Sequence, residues 1–173
     1  MAFNINEIRS NLALGGARPS LFQIIMNNPV DAAGDAKLPF MAQAAQIPAS
    51  TVGTIEVPYV GRKIKIAGDR TFEPWTVTVI NDTDFAVRNA MERWMNGINQ
   101  HNNNTGLVDP VEYQADMIVE QLNKAGESVK RYDFRGTFPT NVSAIELSYD
   151  TENAIEEFTV ELQVQYWESD TTS

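Results

Sequence analysis

The most regular hydrophobic pattern in the chain lies near its C-terminal end, where Phe158, Val160, Leu162, Val164 and Tyr166 alternate with Thr159, Glu161, Gln163, Gln165 and Trp167. A period of two puts the first set on one face of a β-strand and the second on the other. Such alternation belongs to a largely antiparallel sheet with one dry and one wet face. Trp75–Ile80 reads the same way: Trp75, Val77 and Val79 oppose Thr76, Thr78 and Ile80, and β-branched residues dominate. Shorter apolar runs at Leu21–Met26 and Ala144–Tyr149 predict further strands, while Phe40–Ile47 suits an irregular edge strand or a short helix and Tyr113–Leu122 fits either period, with strand preferred for both. Val52, Ile55 and Val57 face Ile64 and Ile66 across Pro58-Tyr59-Val60-Gly61, which predicts a hairpin, with Gly68-Asp69-Arg70 as a turn after it. Lys124-Ala125-Gly126-Glu127 predicts a second hairpin turn leading into an alternating run from Val129, and Phe138-Pro139-Thr140-Asn141 predicts a corner.

One segment has helical period. Within Asp84–Ile98, residues Val87, Met91, Trp94, Met95 and Ile98 form one apolar stripe, with Arg88, Glu92 and Arg93 outside it. Asn81, Asp82 and Thr83 are the candidate N-caps, and the Asn-rich stretch Asn99–Pro110 is a loop. Met1–Gly16 shows weak helical spacing (Ile5, Ile8, Leu12) that Gly15-Gly16 ends. Seven or eight strands with one good helix predict a mainly β fold, an antiparallel sandwich or barrel with a single packed α-helix. At roughly 150 residues per domain, the 173 residues make one domain. Residues 1–17 are read as an arm, 51–67 as an extended hairpin, 83–98 as the helix and 169–173 as a flexible tail.

Composition narrows the chemistry. With no Cys and one His, thiolate catalysis, disulfides and Cys- or His-rich metal sites are excluded. His101 sits in the Asn-rich loop, Glu156 and Glu157 are strand neighbours that point to opposite faces, and Asp82 and Asp84 suit a helix N-terminus. The expectation is therefore no catalytic residue, no metal and no cofactor. A net charge of -10 has the wrong sign for gripping phosphate backbones, and no stretch is long and apolar enough for a membrane helix. The charge is also uneven. From Asn141 onward there are eight acidic and no basic residues, whereas Gly61–Arg70 carries Arg62, Lys63, Lys65 and Arg70 against Asp69. Opposed local charges and sheet edges suit either a shielded monomer or a protein whose copies complete one another.

Arg18-Pro19 followed by Leu21-Phe22-Gln23, the block Ala67-Gly68-Asp69-Arg70-Thr71-Phe72, the run Trp75-Thr76-Val77-Thr78-Val79-Ile80-Asn81-Asp82, Pro139-Thr140-Asn141-Val142 and the ending Phe158 to Glu168 occur in that order over most of the chain. In these segments the chain resembles the inner tail tube protein of contractile-tailed bacteriophages. The resemblance implies a hexameric ring that stacks into a tube, with inner strands of six copies closing one β-barrel, and a fold similar to type VI secretion tube proteins. About 24 strands spaced about 4.8 Å and tilted about 40° close on a backbone diameter of roughly 48 Å, enough for a DNA duplex. The implied partners are a contractile sheath, baseplate and tail terminator proteins, and genomic DNA that passes without specific binding. The implied location is the virion tail, assembled in the host cytoplasm. Val57, Pro58, Tyr59, Val60, Gly61, Arg62 and Lys63 resemble the loop that stacks successive rings, and Glu161, Gln163 and Gln165 are the candidates for lining the lumen. A type VI-like tube and a monomeric acidic β binding module are the alternative readings.

Overall fold

In the computed structural model, residues 5–12 and 16–172 are described; the expected stop at Gly15 and the terminal Ser173 lie outside them. The described chain is built on one antiparallel sheet. Strands β1 (Phe22–Ile25), β2 (Ala42–Ala45), β5 (Trp75–Ile80), β6 (Ala115–Leu122), β7 (Ser128–Val142), β8 (Glu157–Gln163) and β9 (Tyr166–Ser169) belong to it, in the order β1-β6-β7-β8-β5-β2 with β9 also on β7. Strands β3 (Ser50–Tyr59) and β4 (Arg62–Phe72) pair only with each other. The helices are α1 (Ile5–Asn11), α2 (Leu38–Met41), α3 (Ala86–Ile98) and α4 (Pro110–Tyr113), with a 3-10 turn at Ala32–Gly34.

One face of the sheet packs with α3 in a single core. Ile24, Met117, Val119, Phe134, Phe158, Val160, Leu162, Trp75, Val77 and Val79 form its dry face and meet Val87, Met91 and Trp94 of the helix. Trp75 and Phe134 stack with ring centroids 4.4 Å apart, and the Trp94 indole N–H donates to the Tyr113 carbonyl at 2.7 Å. Gly34 lets the 3-10 turn lie close against α3, because a Cβ there would sit 3.0 Å from the Ala90 Cβ and 3.2 Å from the Val87 Cα.

Strands β8 and β9 are one ladder along β7 that is creased in the middle. Phe138 pairs with Gln163 and Arg135 with Tyr166, so the register is continuous through Val164 and Gln165. At the crease Gly136 has φ 61°, a left-handed conformation that favours glycine. Both strands lose the two-residue alternation there: Phe134 and Thr137 are buried three residues apart, and so on the partner are Val164 and the half-buried Trp167. Hence Tyr166, expected on the dry face, is exposed, while Trp167, expected outside, packs on Tyr132 and Phe72.

Other expectations are corrected by tertiary context. Gly68-Asp69-Arg70 is not a turn but the continuation of β4, and Phe138–Asn141 is not a corner but the interior of β7. Pro139 is tolerated because β6 ends opposite Thr137, which leaves β7 a neighbour on one side only. Phe40 and Met41 end a helical turn before the short β2, and Tyr113 closes α4 before β6 begins. Ala144–Tyr149 forms no strand; residues 143–156 are a loop. Helix α3 starts later than its polar prefix suggests. Phe85 takes the cap position with φ 52°, its N–H bonded to the Asp82 carbonyl, while the Asp84 carboxylate accepts from the Ala86 N–H.

Candidate assembly surfaces

Among the described residues the β3–β4 hairpin pairs with no other strand and meets the sheet at its base, where Phe72 packs on Trp167. Val60 and Gly61 have φ 41° and 76°, the two left-handed residues of a tight turn whose twist suits a two-residue hairpin. Ladder pairs run Tyr59–Arg62, Pro58–Lys63, Val57–Ile64, Glu56–Lys65 and Ile55–Ile66, so Ile55, Val57, Tyr59, Ile64 and Ile66 share one face with Arg62. Glu56, Lys63 and Lys65 share the other, where Lys63 pairs with Glu56 at 2.6 Å. Near its base the ribbon bulges between Val52 and Thr54, and a Cβ on Gly68 would lie 3.2 Å from the Gly53 backbone. Every residue from Thr51 to Ala67 is exposed. An isolated two-stranded ribbon is marginal in water, and one with a whole apolar face exposed gains its stability only when that face is covered.

All seven stacking candidates, Val57 to Lys63, thus lie together at the tip. The lumen candidates divide. Glu161 and Gln163 stand on the wet face of β8, where Glu161 is level with Thr76 and Thr159 with Thr78. That face is polar and carries no basic side chain on β5 or β8. Gln165 lies beyond β8 at the crease, against Gly136, in a groove that also includes Asp116, Arg135, Tyr166 and Glu168. Arg135 bonds the Asp116 carboxylate at 2.6 Å, and that pairing holds the guanidinium further toward the charged form.

The opposite end of the core carries acid. Lys37 bonds both Asp82, at 2.8 Å, and Asp84. These bonds raise the Lys37 pKa and hold both carboxyls below their ordinary range. Asp31 is likewise held low, first by the Ala33 N–H and then by Arg93. Asp35 differs: burial raises its pKa, although one oxygen accepts from the Asn28 N–H at 3.0 Å. Among the described residues no three His, Cys, Asp or Glu side chains are grouped to hold a metal, and no helix is long and apolar enough to cross a membrane.

Sequence reasoning missed the loop at 143–156. It leaves β7 with Arg88 Nη1 donating to the Ser143 carbonyl at 3.2 Å and rejoins β8 with Asn81 N–H donating to the Glu156 carbonyl at 2.8 Å. Its acidic residues without a single basic one, and the turn residues Asp150 to Asn153, were the available signals.

The sequence profile of the phage tail tube protein family matches residues 6–170. The tail tube protein gp19 of Enterobacteria phage T4 is 38% identical over 154 residues, covering 88% of this chain and 91% of that one. Among solved structures, the tube-terminating cap of the anti-feeding prophage superposes with a TM-score of 0.68 at 19% identity, covering 91% of each chain. The sheath–tube complex of an extracellular contractile injection system contains a chain that matches with a TM-score of 0.63 at 14% identity, covering 98% of this chain and 99% of that one.

Proposed function

The chain belongs to the phage tail tube protein family, and from that membership we propose that its copies close into hexameric rings which stack, inside a contractile sheath, as the conduit for the genome. The observation that carries this reading is the β3–β4 hairpin, a ribbon paired to nothing else in the protomer with its apolar face in solvent. A second copy is the natural cover, since repetition along a tube hides every such face but those at the two ends. Ring closure has its own motive in the free margins of β1 and β2, whose unpaired backbone groups are templates for a neighbour's strand. The partners that follow are the sheath outside, a baseplate below and a terminator above.

The lumen follows from the same arrangement. The wet face of β5 and β8, with Thr76, Thr78, Thr159, Glu161 and Gln163, is the inner wall, and Gln165 extends it at the crease. An acidic or neutral wall repels or ignores phosphates, so a duplex slides, whereas a basic wall holds it through counterion release. Replacing Glu161 and Gln163 together by Lys is expected to slow genome ejection from assembled particles, and unchanged ejection kinetics would refute the lining role.

Stacking is tested by removing residues 57–63. Rings are expected to persist while tubes disappear from electron micrographs, and tubes of normal length from this variant would overturn the stacking role. Single exposed ion pairs contribute only about 0–1 kcal/mol. Six symmetric copies of the contact at each step make even that decisive.

A further inference from the structure

We propose that the tip of the β3–β4 hairpin of one copy docks on the acidic loop at 143–156 of another copy, so that these two segments are the two halves of the stacking contact. The inference rests on the ring-stacking reading above and names the receiving surface that this reading leaves open.

The first argument is topological. Strand β5 starts three residues after the hairpin ends, and its other end, Ile80, pairs with Glu157, the residue that follows the loop. Strand β8 runs the opposite way, from the loop at Glu157 to Leu162 opposite Trp75. Hairpin base and loop therefore sit at opposite ends of one strand pair about 17 Å long. Two different surfaces at opposite ends of a protomer are what a head-to-tail contact needs, and such a contact propagates into a filament instead of closing on itself.

The second argument is electrostatic. Ser50–Phe72 holds four basic residues, Arg62, Lys63, Lys65 and Arg70, against Glu56 and Asp69. Residues 143–156 hold Glu146, Asp150, Glu152 and Glu156 and no basic residue. On a chain with net charge -10, copies repel one another in most orientations, and the hairpin-to-loop orientation is one the charges favour.

The third is the apolar match. At the tip Tyr59 is 69% and Val60 87% exposed, and on the loop Leu147 is 84% and Ile155 70% exposed. The loop also folds around an open hollow lined by Ile145, Leu147 and Ile155 and equally by Glu146, Glu156 and Glu157. A tip that carries Tyr59 and Val60 beside Arg62 and Lys63 fits a hollow that offers apolar side chains and carboxylates together.

The test uses the full chain in cells where each variant replaces the native copy, with rings and tubes scored by sedimentation and electron microscopy. Reversing the hairpin (Arg62→Glu, Lys63→Glu, Lys65→Glu) or the loop (Glu146→Lys, Asp150→Lys, Glu152→Lys) is expected to lower tube yield at least about tenfold while leaving rings. Combining the two reversals is expected to restore tubes. Because the chain has no cysteine, Val60→Cys with Leu147→Cys gives a second readout: a disulfide-linked ladder from the double variant and none from either single variant. Normal tubes from the loop reversal, or tubes of the double cysteine variant that yield no ladder, overturn the pairing yet leave hairpin stacking intact. Normal tubes from the hairpin reversal overturn the pairing as well, whereas hairpin stacking itself falls only if removal of residues 57–63 still gives tubes of normal length.

Discussion

At the scale of single residues, the two buried tryptophans separate packing from hydrogen bonding. Trp94 and Trp75 are both fully buried, but the Trp94 indole N–H bonds the Tyr113 carbonyl, whereas the Trp75 N–H meets no acceptor among the described residues. Each Trp→Phe change opens a similar cavity, and only the one at Trp94 also orphans a carbonyl. Trp94→Phe is therefore expected to cost about 1–3 kcal/mol more than Trp75→Phe, read by urea unfolding of the unassembled chain. Equal losses would show that the Tyr113 bond contributes nothing. Gly136 is a second single-residue determinant. A Cβ there would meet the Gln165 Cγ at 2.7 Å in addition to the strain of φ 61°. Gly136→Ala is expected to destabilise by about 1–2 kcal/mol, seen as a lower melting temperature.

At the scale of elements, Lys37 ties the segment before α2 to the acidic prefix of α3 through Asp82 and Asp84. Both carboxyls have folded pKa values below the unfolded one, so their contribution is present above about pH 4 and lost as pH falls through the folded values. The native chain is therefore expected to lose more melting temperature between neutral pH and pH 2–3 than Lys37→Met does. Parallel curves for the two would show that the ion pairs do not stabilise this junction. The hairpin makes a contrasting prediction in hydrogen exchange. Its amides should exchange quickly in the unassembled chain and slowly in tubes, while those of β5 and β8 are slow in both. A hairpin that exchanges equally fast in tubes would mean that nothing covers it.

At the scale of the whole molecule, the fold is a self-sufficient core with dependent appendages. The core is closed by β5, β8, β7 and α3, and it needs no second copy to bury Trp75, Phe134 or Trp94. The ribbon β3–β4, the loop at 143–156 and the margins of β1 and β2 are exposed or unpaired among the described residues, and the proposed assembly uses them. Ring closure along those margins is expected to protect β1 and β2 amides in isolated rings relative to the monomer, a change that hairpin deletion leaves untouched.

Local pattern alone determined several of these features. Alternation in Trp75–Ile80 and Phe158–Val164, the helical stripe from Val87 to Ile98 and a hairpin turning across Pro58–Gly61 are each set by neighbours a few residues apart, and local sterics with one-sided burial suffice to specify them, although the structure keeps Pro58 and Tyr59 in β3 and turns at Val60-Gly61 alone. The resemblance carried by the Ala67–Phe72 block and the segments in order with it is what implied a tube subunit with its stacking tip at Val57–Lys63. Tertiary structure alone decided the rest. It ran β7 through Pro139 because β6 stops short, moved Trp167 inward and Tyr166 outward because two facing strands crease together at Gly136, and left Ala144–Tyr149 as a loop. It also set the cationic hairpin and the acidic loop at opposite ends of β5. Those outcomes depend on partners far away in the chain, as Phe72 is from Trp167 and Trp75 from Leu162, and a one-dimensional pattern carries no record of which strand ends first or which face a distant neighbour covers.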